Sequence, residues 1–137
     1  MRVIKMWPQL KHFNEDEAWG IPSKMNGGLL LALDAIVDHV GSPFTVHCGY
    51  ATGGHSALSQ HYEGNAVDGS FRRLPIRAAY QRLIDALHDL QLVNRVGLGL
   101  YLEWNNQGFH IDLRGRLARW AYLGGKQVAL YMAVDRV

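Results

Sequence analysis

Apolar positions recur at helical spacing in two stretches of the chain. Leu29, Leu30, Leu33, Ile36, Val37 and Val40 keep to one face of a 3.6-residue repeat, and Gly41 follows where a helix would close. Ile76, Ala79, Tyr80, Leu83, Ile84, Leu87 and Leu90 form a second stripe, opened by Pro75, a residue suited to the first turn of a helix. A shorter helix is expected over 14–20, where Asn14 supplies a cap, Glu17 stands three residues later and Gly20-Ile21-Pro22 ends it. Six short segments read as strands: 44–48, 66–71, 95–101, 109–113, 119–123 and 128–131. Helices and strands in this mixed, non-repeating order predict an α+β fold rather than a doubly wound parallel sheet.

Residues 49–64 break both patterns. They hold four glycines, two histidines, Thr52, Ser56, Ser59 and Gln60, with few apolar residues to anchor them. A loop of that length in a small domain is either functional or disordered. The chain has 137 residues and no linker-like stretch or repeat, so one domain covering 1–137 is expected. Hydrophobic residues at 48% against 19% charged exclude intrinsic disorder. Lys plus Arg is 14 against 12 for Asp plus Glu, with no long basic run, so no nucleic-acid partner is expected. The single cysteine, Cys48, has no partner for an internal disulfide, which leaves the core or a metal to hold the fold and suits a reducing compartment. The longest apolar stretch, 29–33, is far short of the ~20 residues of a membrane span. Lys5 interrupts the N-terminal apolar run and no small-residue cleavage site follows, so a signal peptide is not expected and synthesis in the cytoplasm is.

The histidines change the picture. His47, His55, His61 and His110, four of the seven, lie in or beside that loop and a late strand. His61 precedes Asp68 with Gly64 between them, and Phe109-His110-Ile111-Asp112 comes far downstream. Neutral imidazole and carboxylate are the ligands zinc takes at catalytic sites, where three protein ligands leave a fourth position open. In a strand, His110 and Asp112 share one face while Ile111 and Leu113 face the core. His61, Asp68 and His110 are thus candidate ligands of one Zn²⁺. On spacing alone, a surface histidine and a loop-capping aspartate are the favoured reading.

Ser59-Gln60-His61 followed by Gly64-Asn65-Ala66-Val67-Asp68 resembles the S-x-H-x6-D motif of the zinc peptidases grouped as lysostaphin, D-Ala-D-Ala metallopeptidase and hedgehog relatives. Gly108-Phe109-His110-Ile111-Asp112-Leu113-Arg114 is similar to the late strand that carries their third ligand. The order of elements matches the D-alanyl-D-alanine carboxypeptidase branch. His12-Phe13 leads an acidic segment, a long helix follows, and a strand ends in Cys48-Gly49-Tyr50. Gly97-Leu98-Gly99-Leu100-Tyr101 and Arg116-Leu117-Ala118-Arg119-Trp120 resemble the flanks of the third ligand, so the likeness runs over roughly 12–121.

That resemblance implies a hedgehog/DD-peptidase fold, with a small antiparallel sheet and flanking helices around one zinc held by His61, Asp68 and His110. It implies a zinc metallopeptidase that hydrolyses peptidoglycan peptides near a D-amino acid, as a carboxypeptidase or a wall endopeptidase. A monomeric phage or prophage endolysin, reaching the wall through a holin or other export partner, is the expected setting. Two positions depart from the family. Ala51 stands where an arginine often holds substrate, and Gln107 stands where many members place the catalytic base. Glu103, the nearest acid upstream of His110, and Asp112, on its strand face, are the candidate catalytic acids in its stead. The alternative is a non-catalytic, zinc-stabilised binding or phage structural module. His47 and His55 read as polar loop and strand-end residues, and Cys48 as a small buried residue. His12, His39 and His88 are expected to face solvent. Trp7, Trp19 and Trp120 read as packing, and Tyr50 and Tyr62 as candidate substrate contacts.

Overall fold

The computed structural model describes residues 6–104 and 107–134. Residues 1–5, which bear on the N-terminal reading, and Asn105 and Asn106 lie outside the described residues. Both apolar stripes are helices. α1 spans Gly27–Val40; the Asn26 side chain caps it by accepting from the Leu29 N–H, and Gly41 closes it in the left-handed region. α2 spans Ile76–Asp89 after Pro75 and buries Ala79, Leu83, Ala86 and Leu87. The two helices pack together and share one core with the sheet.

The helix expected over 14–20 does not form. Its cap bonds exist: the Glu17 carboxylate accepts from the Asn14 N–H at 2.8 Å, and the Asn14 side chain from the Asp16 N–H at 2.9 Å. The chain then turns inward, because the fully buried Trp19 packs against Trp7 and Phe13 and donates its indole N–H to the Asn14 carbonyl. Burying that indole outweighs a helix with almost nothing else apolar to bury.

Six strands form one sheet: β1 Phe44–Cys48, β2 Ala66–Phe71, β3 Gly97–Tyr101, β4 Gly108–Asp112, β5 Ala118–Leu123 and β6 Lys126–Val128. Their order in space is β1-β2-β4-β3-β5-β6. The fold is thus mixed α+β, but the sheet is not wholly antiparallel, since β3 and β5 run parallel. The reason is local. β4 ends beside the start of β3, with Asp112 opposite Gly97, so a short hop across that strand end sets Ala118 on the other side of Gly97.

Of residues 128–131 only Val128 lies in a strand, as the last residue of β6. Gly124 and Gly125, both at positive φ, make a two-residue hairpin that starts β6 at Lys126, and Leu130–Val134 forms a short helix, α3. Leu130 and Ala133, three apart, are its buried pair.

Alternation then divides the sheet. Val67, Leu98, Leu100, Phe109, Ile111 and Ala121 face the helices and are buried. Asp68, His110 and Asp112 lie on the opposite face, joined there by Trp120 and Tyr122 of β5 through the pairing of β3 with both neighbours. β1 offers His47 to this face, 3.2 Å from the Ser70 hydroxyl and against the Trp104 ring, and a register slip between Val46 and Cys48 sets Cys48 opposite Asp68 as well. Two glycines of β3 keep the face open. A Cβ on Gly97 would lie 2.6 Å from the Asp112 carboxylate, and one on Gly99 2.6 Å from the Trp120 indole nitrogen. Among the described residues, no helix is long and apolar enough to cross a membrane.

Candidate metal centre

His61 is delivered by a single 3-10 turn, Gln60–Glu63, at the end of the long loop. The Ser59 hydroxyl caps that turn by accepting from the His61 N–H, and Gly64 ends it at φ 68°. Only glycine fits there, because a Cβ would lie 1.9 Å from the Lys24 carbonyl oxygen. The Asn65 side-chain amide then donates to Gln60 and to the Leu113 carbonyl, tying the turn to β4 before β2 begins. That path of turn, reversal and strand brings His61 and Asp68 together.

The three expected ligands meet. His61 Nε2 is 3.1 Å, and His110 Nδ1 3.0 Å, from the same oxygen of Asp68. The three ligand atoms lie within 4.8 Å of one another, which is the spacing of a metal-ion site. Each imidazole is oriented through its other nitrogen. His61 Nδ1 donates to the Gly49 carbonyl at 2.7 Å, and His110 Nε2 donates to Asp112 at 2.7 Å. Fixing one ring nitrogen as a donor turns the other outward as a lone pair, the usual arrangement around a metal-bound histidine. Asp112 is fully buried and is held in turn by the Arg114 guanidinium through both its oxygens.

Among the described residues, one buried atom lacks a hydrogen bond: His61 Nε2, which lies 3.1 Å from Asp68 without hydrogen-bond geometry. A buried imidazole nitrogen left in that state is costly unless something else engages it. The donor set of two imidazoles and one carboxylate, with that atom aimed into it, fits a divalent metal ion.

Without a metal, protons take its place. Burial works against charge on His61, but Asp68 outweighs it and pushes the imidazole up to about 10. His110 is also raised, burial being outweighed by Asp112 and Asp68. Asp68 is held down to about 2, and Asp112 well below the usual carboxylate range, since their histidine and arginine partners outweigh burial.

The cluster opens on a cavity of about 610 Å³. Its wall carries residues that the sequence did not single out for this purpose. Trp104, Tyr101 and Tyr122 stack in a row, with centroids 4.4 and 5.2 Å apart. Trp120, expected as plain packing, lies 5.1 Å from His110 and beneath the Arg114 guanidinium. The Tyr101 hydroxyl accepts from the Trp120 indole N–H, and burial pushes it up to about 12, so it stays a neutral donor.

Other expected site residues lie elsewhere. The Glu103 carboxylate accepts from the N–H groups of Gly124 and Gly125 at 3.0 and 3.1 Å, capping the β5–β6 hairpin away from the cluster. Gln107 donates to the Leu102 carbonyl and lines a neighbouring cavity on the far side of Trp104. The Tyr62 hydroxyl is engaged with the backbone of His55, and Tyr50 packs on the core. His12 and His39 pair with Asp38 and Asp89 on the surface.

The fold and the cluster define a mixed α+β protein with a His-Asp-His constellation able to hold a metal ion at the floor of an open cavity. No family model, curated protein or solved structure matches the chain.

Proposed function

We propose that the protein is a zinc-dependent peptidase of hedgehog/DD-peptidase type, acting on bacterial peptidoglycan peptides near a D-amino acid. One observation carries the reading: His61 Nε2 and His110 Nδ1 converge on a single oxygen of Asp68 beside an open cavity. Three ligands with an open side are the pattern of catalytic rather than structural zinc. The choice of wall peptides rests on the resemblance of residues 59–68 and 108–114 to the motifs of that family. The same reading puts its action at the bacterial wall, in the manner of a phage lysis protein.

When bound, the ion supplies Lewis acidity to the scissile carbonyl and acidifies water at the site. The chain's own residues bind and orient. The Gly49 carbonyl and Asp112 hold the two imidazoles in their tautomers. Arg114, shared between Asp112 and the cavity, offers a cation to a peptide carboxylate where Ala51 offers none. The Tyr101 hydroxyl supplies a neutral donor, and the aromatic row excludes water from one side.

Of the two candidate acids, Asp112 touches a ligand and Glu103 does not. Asp112 is thus a positioning residue. Asp112→Asn is expected to weaken zinc binding by about 10–100-fold, measured by competition with a chromophoric chelator. Glu103→Gln is expected to keep both zinc and turnover, and to cost only the stability of its hairpin cap.

A second reading, a non-catalytic zinc-stabilised binding module, draws on the same acids. Among the described residues lining the cavity, Asp68 is the one carboxylate, and it is a ligand candidate. Defined stem peptides ending in D-Ala-D-Ala, and cross-linked wall peptides, separate the readings when their products are followed by mass spectrometry. Cleavage that stops with a chelator and returns with zinc is expected. Zinc-loaded protein that binds these peptides but leaves them intact would favour the second reading, and cleavage confined to all-L peptides would contradict the first.

A further inference from the structure

The loop that carries His61 also brings a second set of metal-binding atoms to its other side. Cys48 Sγ lies 3.8 Å from His55 Nε2 and 3.9 Å from His61 Nδ1, and the His55 and His61 rings stack with centroids 4.2 Å apart. We propose that Cys48, His55 and His61 form a second site, for a thiophilic divalent ion, which competes with the first cluster for His61.

The spacing suits such an ion. A tetrahedral zinc, with Zn–S about 2.3 Å and Zn–N about 2.0–2.1 Å, sets sulfur and nitrogen ligands about 3.5 Å apart. Closing the two sulfur–nitrogen separations takes shifts of a few tenths of an ångström, and the stacked imidazoles must also swing so that their in-plane lone pairs converge. Two features build the site rather than leave it to chance. The register slip in β1 sets Cys48, and not His47, opposite Asp68. The Tyr62 hydroxyl accepts from the His55 N–H at 2.9 Å and donates to its carbonyl at 2.7 Å, pinning the loop where His55 overlies His61.

Sharing His61 makes the sites antagonistic. The first cluster uses Nε2 while Nδ1 donates to the Gly49 carbonyl. An ion at the second site takes Nδ1, so that hydrogen bond breaks, the Nδ1 and thiol protons pass to solvent, and the ring is drawn off Asp68. The two sites are therefore alternatives, and one kind of ion divides between them in a ratio set by their two affinities, whatever its concentration.

Cobalt(II) titration of the metal-free protein under reducing conditions tests this, because thiolate coordination adds a near-ultraviolet charge-transfer band that histidine and carboxylate do not give. The wild type is expected to develop the band, and Cys48→Ser to lack it while still taking up one cobalt. His55→Ala should weaken the band's apparent affinity by about tenfold or more. Asp68→Asn, which impairs only the first cluster, should keep the band and raise its intensity at saturation, because cobalt no longer divides into that cluster. A wild type without the band, a band indifferent to His55→Ala, or a band lost in folded Asp68→Asn would overturn the proposal. The readout is independent of peptide hydrolysis, so the peptidase reading can fail while this site stands.

Discussion

Replacing His110 with alanine is expected to leave the Asp68 cluster without zinc and the protein without turnover. His110 is the middle of a chain of contacts that runs from Asp68 through both its ring nitrogens to Asp112 and Arg114. Its loss removes a ligand atom and leaves Asp112, fully buried, with Arg114 as its remaining charged partner. Because Arg114 still holds both oxygens of Asp112, the cost stays below the roughly 3–5 kcal/mol of leaving a buried charge unpaired, but the variant should still unfold at a lower temperature than the metal-free wild type. His61→Ala should behave alike, and it additionally strips the Gly49 carbonyl of its donor. Metal analysis should fall from about one zinc per chain to background in His61→Ala, which takes a ligand from both groups, and any zinc kept by His110→Ala should be lost when Cys48→Ser is added. Either variant retaining a full zinc equivalent and the wild-type rate would remove the basis of the assignment.

Zinc affinity is expected to climb steeply with pH. In the metal-free protein His61 is pushed up to about 10 and His110 is raised as well, so near neutrality both imidazoles hold protons that the ion must displace. Each proton released adds about one power of ten in apparent affinity per pH unit, so the slope should lie between one and two across pH 6–8. The metal-free fold responds with the opposite sign. A raised histidine stabilises fully below its ordinary value of 6.5, and for His61 that contribution fades as pH rises toward about 10. Asp68, held down to about 2, contributes above its ordinary 3.8 and loses that contribution as pH falls through about 2. A chelator should therefore lower the melting temperature far more at pH 8 than at pH 6. An equal drop at both values would mean that these imidazoles do not exchange protons for metal.

How much of this was legible in the sequence depended on whether the signal was local. The periodic stripes of α1 and α2 and the segments of β1 and β2 could be read because propensity and burial agree there. The His61, Asp68 and His110 set is readable through the resemblance of residues 59–68 and 108–114 to a ligand motif, since the spacing alone favours a surface histidine and a capping aspartate. The segment at 14–20 was misread because Trp19 is pulled into the core by residues far along the chain, overriding a correct cap signal. Residues 128–131 were misread because the hairpin at Gly124 and Gly125 went unnoticed, and that hairpin sets where β6 begins. Glu103 lies two residues beyond Tyr101, level with the same hairpin across a parallel pairing that no local pattern announces. Trp120 and Arg114 join the site only because Gly97 and Gly99 leave space above β3, a consequence visible once the strands are paired. Cys48 faces the site through a one-residue slip, and slips leave no mark in alternation.

The account stands most directly on where the metal sits. Crystals of zinc-loaded protein measured on both sides of the zinc absorption edge would locate it without reference to activity. One strong anomalous peak is expected roughly 2.0–2.2 Å from His61 Nε2, an Asp68 carboxylate oxygen and His110 Nδ1, with Asp112 and the Gly49 carbonyl still holding the far side of each ring. Zinc-saturated crystals with no peak among these three side chains, and Asp68 still against both imidazoles, would contradict it.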